Sequence, residues 1–436
     1  MTRALSRLAL AAIAMLAASP AFAQAAKIDG ADTAWMIGAT GLVLMMTIPG
    51  LALFYAGMVR KKNVLATMAQ SLAATFLVSI LWAFIGYSLT FSGDGAWLGN
   101  LERAFLHGMT ADSISPLAKT IPEALFMIYQ MTFAIITVAL VAGSVADRLR
   151  FSAYLIFCAL WLLLVYVPIA HWVWGGGFLG SYGLIDFAGG TVVHLNAGVA
   201  GLTAALIIGA RRGYGHENLA PHDLTLAVIG TGLLWVGWFG FNGGSALGAT
   251  SRAVMAIVAT HLAASTGAVT WMALEWWTRG KPSVLGMISG AVAGLGTITP
   301  ASGYVMPMQA VLIGLIAGAI CFWACTSLKI KFGYDDSLDV FGVHGIGGLT
   351  GTLLAGIFAA AALSVSTETP NGIAGLLEGN PHQLVAQLYG VAVTAIWSGV
   401  LTVIILKVIE LMVPLRVRQE DEVMGLDVSQ HGEALQ

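Results

Sequence analysis

Two histidines stand out because each follows an aspartate at the same interval. Asp186-Phe187-Ala188-Gly189-Gly190-Thr191-Val192-Val193-His194 and Asp336-Ser337-Leu338-Asp339-Val340-Phe341-Gly342-Val343-His344 both place a His eight residues after an Asp, with glycine between. Imidazole is the side chain that gains or loses a proton near neutral pH, and its two nitrogens can donate one hydrogen bond and accept another. Both histidines lie in apolar runs, where an ionisable group is costly and by default marks a pathway. The chemistry on offer is the handling of a small protonatable molecule. Hydrolytic or redox catalysis has no counterpart here, since no nucleophile–base pair or cofactor fingerprint is present, and no metal or cofactor is expected. Asp186 could accept a proton, but a carboxylate near a helix N-terminus readily satisfies backbone N–H groups, and that structural role is preferred. Asp339 and Glu275 read as structural. Cys158, Cys321 and Cys325 read as buried apolar fillers, and a lone His261 as a core residue.

Aromatic residues recur at helical spacing. Tyr129 and Phe133 share one face, as do Trp238, Phe241 and Ser245, and His171 to Gly177 contains Trp172 and Trp174. Most tryptophans, Trp276 and Trp277 among them, fit an interfacial belt. A cluster of π faces with a hydroxyl would instead attract a small cation by about 0.5–1 kcal/mol when exposed and about 2 when desolvated.

The elements that position these residues are membrane helices. The chain is 58% hydrophobic and only 10% charged, with mean hydropathy +0.84, against roughly 25% charged in soluble domains. A net charge of -2 argues against nucleic-acid binding. Apolar runs of spanning length occur at 33–58, 66–91, 122–146, 152–173, 190–210, 223–243, 254–277, 284–300, 305–328, 338–361 and 385–412, the eighth being the weakest. Before them, Arg3 and Arg7, a short apolar run and Ala21-Phe22-Ala23 read as a signal peptide over 1–23, leaving a transmembrane domain at 24–413 and a cytoplasmic tail at 414–436. With an outside start, the inner segments hold Arg60, Lys61, Lys62, Arg148, Arg150, Arg211, Arg212, Arg279, Lys281, Lys329, Lys331, Arg416 and Arg418, and the outer ones only Lys27, Arg103, Lys119 and Arg252. The positive-inside rule then predicts N-out, C-in. The expected fold is all-α, with eleven transmembrane helices.

Five helices separate the two Asp–His segments, so spans 1–5 and 6–10 are expected to form an inverted repeat, with the working site at their interface. At 1.5 Å per residue each His lies about 12 Å in from its Asp, from opposite sides. In a core about 30 Å thick the two imidazoles reach similar depth.

At these residues the chain resembles the ammonium transporter family, including its bacterial inner-membrane members. Thr47-Ile48-Pro49-Gly50 with Phe54-Tyr55, Arg148 to Ala153, His171 to Gly177, Asp186 to His194, Gly237 to Asn242, Asp339 to Gly345, and Gly425-Leu426-Asp427 with His431-Gly432-Glu433 carry the likeness. The resemblance implies a homotrimer with one pore per subunit. It implies a recruitment site at Trp174, Phe133 and Ser245, with Phe133 and Phe241 as a stacked block beneath. It also implies paired pore imidazoles at His194 and His344, Asp186 as the buried carboxylate supporting the substrate site, and pore-lining Trp238 and Val340. Tyr129 stands where the family often has Phe. A trimeric PII-type signal protein would bind the cytoplasmic face and tail. The expected function is ammonium transport: the cation is recruited, deprotonated, and passed as ammonia, its proton either left outside or carried across by a separate route. An ammonium-sensing receptor acting through a PII-type partner and a neutral-gas channel of Rhesus type are the alternatives.

Overall fold

Each expected apolar run is a helix in the computed structural model, which describes residues 27–366 and 369–435. The expected signal peptide at 1–23 lies outside the described residues. The helices are α1 (Gly30–Met58), α2 (Lys61–Phe91), α3 (Glu123–Val145), α4 (Phe151–Tyr182), α5 (Gly190–Ile208), α6 (Leu224–Gly244), α7 (Ser251–Arg279), α8 (Val284–Ile298), α9 (Pro307–Phe332), α10 (Phe341–Phe358) and α11 (Pro381–Met412). Ten are long and apolar enough to cross a membrane, while α8 is shorter. Polar residues start several of them by accepting free backbone N–H groups. Asp223 accepts from Thr225 N at 2.8 Å, and Ser283 from Gly286 N at 2.8 Å. Among the described residues there is no strand, only an isolated bridge between Leu149 and Arg416.

Several of these helices contain a wider, π-type turn, which adds a residue to the turn and recurs at functional positions. In α1 it spans Met46–Leu51 around Pro49, whose missing N–H breaks the regular ladder. The two that open α5 and α10, Gly190–Leu195 and Phe341–Gly345, carry His194 and His344. Glycine lets these two helices cross backbone to backbone. A methyl group on Gly348 would stand 2.6 Å from the Gly190 carbonyl oxygen and 2.9 Å from the His194 Cβ. That crossing sets the distance between the two imidazoles.

The loops rich in Arg and Lys gather at one end of the molecule with the tail. Arg60 pairs with Asp147 at 3.0 Å, and Arg211 with Asp335 at 2.8 Å. Arg148 donates to the Gly209 carbonyl and to Ser337. In the tail, Glu422 accepts from Arg416 and from the Arg212 amide, each at 2.7 Å. Asp427 accepts from Ala66 N, and Leu426 N donates to Asn63, each at 2.8 Å. Between them Gly425 holds a φ of 109° against Lys62, a conformation glycine adopts without a steric penalty. Burial opposes ionisation of Asp335, but the Arg211 guanidinium and Arg148 outweigh it and hold the carboxyl below its usual range.

The expectation for His261 is corrected. Its side chain is exposed on the outside of α7, beside the rings of Trp235 and Phe239 at 5.4 and 6.1 Å. A lone His satisfies the helix pattern equally well on either face, so the sequence could not choose between them.

Candidate functional site

The wide turns of α5 and α10 aim His194 and His344 at each other. Their Nδ1 atoms are 3.2 Å apart, and the rings lie nearly parallel at 13° with centroids 5.3 Å apart. One Nδ1 must donate and the other accept, which requires at least one proton between them. Both rings are buried, at 1% and 4% exposure. The Trp238 ring packs over His194 at 5.4 Å and 16°, fixed by an indole N–H donated to Thr299 at 2.8 Å.

Asp186 is consumed by its own helix. It accepts from the amides of Gly189 (2.8 Å), Gly190 (2.6 Å), Thr191 (2.8 Å) and Val192 (3.2 Å), and from the Thr191 hydroxyl. These are the free N–H groups of the first turn of α5, so the carboxylate anchors the turn that presents His194. Its own carbonyl accepts the Trp174 indole N–H at 2.8 Å, which aims that ring.

On one side of the histidines is a cavity of about 390 Å³ lined by Trp174, Phe133, Ser245, Phe126, Gln130 and Tyr304 among others. Phe133 meets Trp174 edge to face at 5.7 Å and 88°, and Tyr129 at 5.1 Å and 65°. The Ser245 hydroxyl donates to the Phe241 carbonyl at 2.8 Å and lies 3.4 Å from the Tyr129 hydroxyl, so with its proton committed its oxygen can act as an acceptor. At the bottom of this cavity Phe133 and Phe241 stack at 4.2 Å and 20°. Beyond the pair lies a space of about 10 Å³ bounded by His194, His344, Trp238, Phe54, Leu140, Leu234 and Val292. That is about the room one water molecule needs. A third cavity, of about 230 Å³, begins at His344 and opens toward Tyr55, Arg211, Lys329 and Asp339. Lys329 and Asp339 pair there at 2.8 Å.

The structure thus brings together Trp174, Phe133, Ser245, Phe241, Trp238, His194 and His344, with Asp186 directly behind them. Val340 is different. It is fully buried against Gly143 and Gly201, and Leu338 and Val343 line the third cavity in its place. It immediately precedes the wide turn of α10 and lines none of these three spaces. The support from Thr299 and the Asp339–Lys329 pair were not read from the sequence, because the first depends on a contact between residues 61 positions apart and the second on how the chain turns between α9 and α10.

Comparison with known proteins gives one consistent picture. Residues 34–435 match the model of the Ammonium Transporter Family. A putative ammonium transporter of Methanothermobacter thermautotrophicus is 47% identical over 406 residues, covering 93% of this chain and 98% of that one. An ammonium transporter of Bacillus subtilis is 46% identical over 402 residues, covering 92% and 97%. Among solved structures, Candida albicans Mep2 superposes with a TM-score of 0.85 at 38% identity, covering 93% of this chain and 90% of that chain. A protein titled a sensor Amt protein gives 0.82 at 29% identity, covering 92% and 98%.

Proposed function

This chain belongs to the ammonium transporter family and is a multi-pass membrane protein; from that premise we propose that it moves ammonium across a bacterial inner membrane by separating it into ammonia and a proton. The observation that carries the proposal is the line of three spaces whose middle one is apolar, one molecule wide and walled by two imidazoles.

The physics follows from that middle space. Trp174, Phe133 and Ser245 offer ammonium two π faces and a hydroxyl acceptor, enough to concentrate it by cation–π attraction and one hydrogen bond. Carrying the intact cation past Phe133 and Phe241 would strip its hydration at a cost of several kcal/mol. Giving up the proton removes most of that cost. Ammonia then hydrogen-bonds to His194 and His344, one nitrogen accepting from it and the other donating to it. Potassium has no proton to release and stays hydrated outside.

The rest of the architecture is proposed on the same footing. Eleven helices span the membrane, with α8 as the short one, the N-terminus outside and the C-terminus inside. Helices α1–α5 and α6–α10 form an inverted repeat. The gathering of basic loops at the Asp339 end supports that end as cytoplasmic. Residues 1–23 are a cleaved signal peptide, 24–413 the transporter domain and 414–436 a cytoplasmic tail. Three copies assemble, and a PII-type protein docks on the cytoplasmic face. Asp186, Trp238 and the Phe133–Phe241 pair act as anchor, wall and gate. Ammonium sensing is a second reading, supported by the likeness to the sensor Amt protein. Purified protein in liposomes is expected to accumulate labelled methylammonium, and His194→Ala to abolish it. Well-folded wild-type protein that took up none would end the transport reading.

A further inference from the structure

A fixed positive charge stands behind the wall of the outer vestibule, and nothing in the transport scheme uses it. Arg252, near the start of α7, places its guanidinium carbon 4.5 Å from the centre of the Tyr304 ring and 4.9 Å from that of Phe187. Both rings line the same cavity as Trp174, Phe133 and Ser245. The Arg252 Nε donates to the Gly303 carbonyl at 2.8 Å, while Nη2 is buried without a hydrogen-bond partner among the described residues. No carboxylate forms an ion pair with it among the described residues. The charge therefore has no carboxylate counter-ion, and two of the rings lining the cavity already hold a cation against them.

We propose that Arg252 is a specificity-determining residue of the vestibule: its charge opposes every cation held there, and so favours those that can leave by giving up a proton. The inference rests on the transport reading above. A like charge nearby raises the energy of the charged form relative to the neutral one. For bound ammonium that is a push toward ammonia, which continues inward. For an alkali ion it is expulsion alone. Arg252 thus weakens ammonium binding and weakens competing ions with it, keeping the mouth clear.

Methylammonium uptake into proteoliposomes, with external caesium as competitor, tests the idea in the full-length protein. Replacing the charge in Arg252→Gln is expected to lower KM by about two- to fivefold at low salt, strengthen caesium inhibition by a similar factor, and lower kcat along with KM, because the bound cation loses its push toward ammonia. Arg252→Lys, which keeps the charge, is expected to retain the wild-type KM. The gap between Arg252→Gln and wild type narrows as ionic strength rises. A KM in Arg252→Gln that equals or exceeds wild type overturns the proposal, and so does an equal shift in Arg252→Lys, which would mean the ring packing matters and the charge does not. If the neutral variant does not fold, the wild type carries the test: a KM that falls with ionic strength supports repulsion, and a flat or rising one overturns it. Absent wild-type uptake removes both readings, whereas normal wild-type uptake with an unresponsive Arg252→Gln removes this one alone.

Discussion

Asp186 and the imidazole pair make separable demands on single side chains. Four backbone amides and a hydroxyl converge on the Asp186 carboxylate. Removing it leaves buried donors unsatisfied at about 1–3 kcal/mol each. Asp186→Ala is therefore expected to lower the thermal unfolding temperature of the purified protein sharply, and Asp186→Asn less. If Asp186 instead served as the proton acceptor, Asp186→Asn would stop uptake with no change in melting. At the Phe133–Phe241 stack, the proposed gate, Phe241→Ala opens the pair and removes a buried aromatic, at about 3–5 kcal/mol. It is expected to let water reach the histidines and admit an ion current with potassium, measurable in planar bilayers. A variant that stayed silent to potassium would deny the gate its role. Asp186, His194 and His344 were legible beforehand because residue type and interval carry the information: an Asp, eight steps, a His, twice; the place of Phe241 came from the resemblance to the family. Val340 carried no such interval: its expected place came from the family resemblance, and it packs against Gly143 and Gly201 just before the wide turn of α10.

Among the elements, the crossing of α5 and α10 governs the site, since glycine contact fixes the histidine separation. A methyl on Gly348 would press on the Gly190 carbonyl and the His194 Cβ, and overpacking of that kind costs about 1–3 kcal/mol or more. Gly38 in α1 is the control, because a methyl there meets nothing within 4 Å and should stabilise the helix by about 0.5–1 kcal/mol. Gly348→Ala is expected to lose uptake and melt earlier, and Gly38→Ala to do neither. Equal melting and uptake in both would show that the crossing tolerates separation. Helix positions were readable from apolar run length alone. The wide turns were not, apart from the hint of Pro49, because a π-type turn is selected by what the helix packs against.

For the molecule as a whole, the gathered loops and tail make one end a single polar assembly. Arg211 bonds Asp335 just before α10, and Glu422 and Asp427 bind the tail to the Arg212 loop and the start of α2. Because the folded-state pKa of Asp335 lies below its unfolded value near ~3.9, its contribution is complete above that pH and is lost as pH falls through the folded value. Loosening of this end is expected below about pH 4, read as faster proteolysis of the tail, with no change between pH 6 and 8 from this group. Arg211→Met leaves a buried carboxylate unpaired and should cost about 3–5 kcal/mol, whereas Arg211→Met with Asp335→Leu should recover much of it. If the double variant were no more stable than the single one, the pair would not be what holds these loops. The sequence marked the basic residues and therefore the end, but partners such as Asp147 for Arg60 and Asp335 for Arg211 lie on other loops and could not be paired by inspection.

The space walled by the two imidazoles has room for about one small molecule, and that has a consequence for speed. Conduits that stream ions quickly keep several in a row, so that each arrival shoves the next one out. Here there is no queue and no shove. Departure has to come from a weak grip and a chance proton rearrangement between two rings, so turnover should level off early as supply rises, in the manner of a turnstile rather than a pipe.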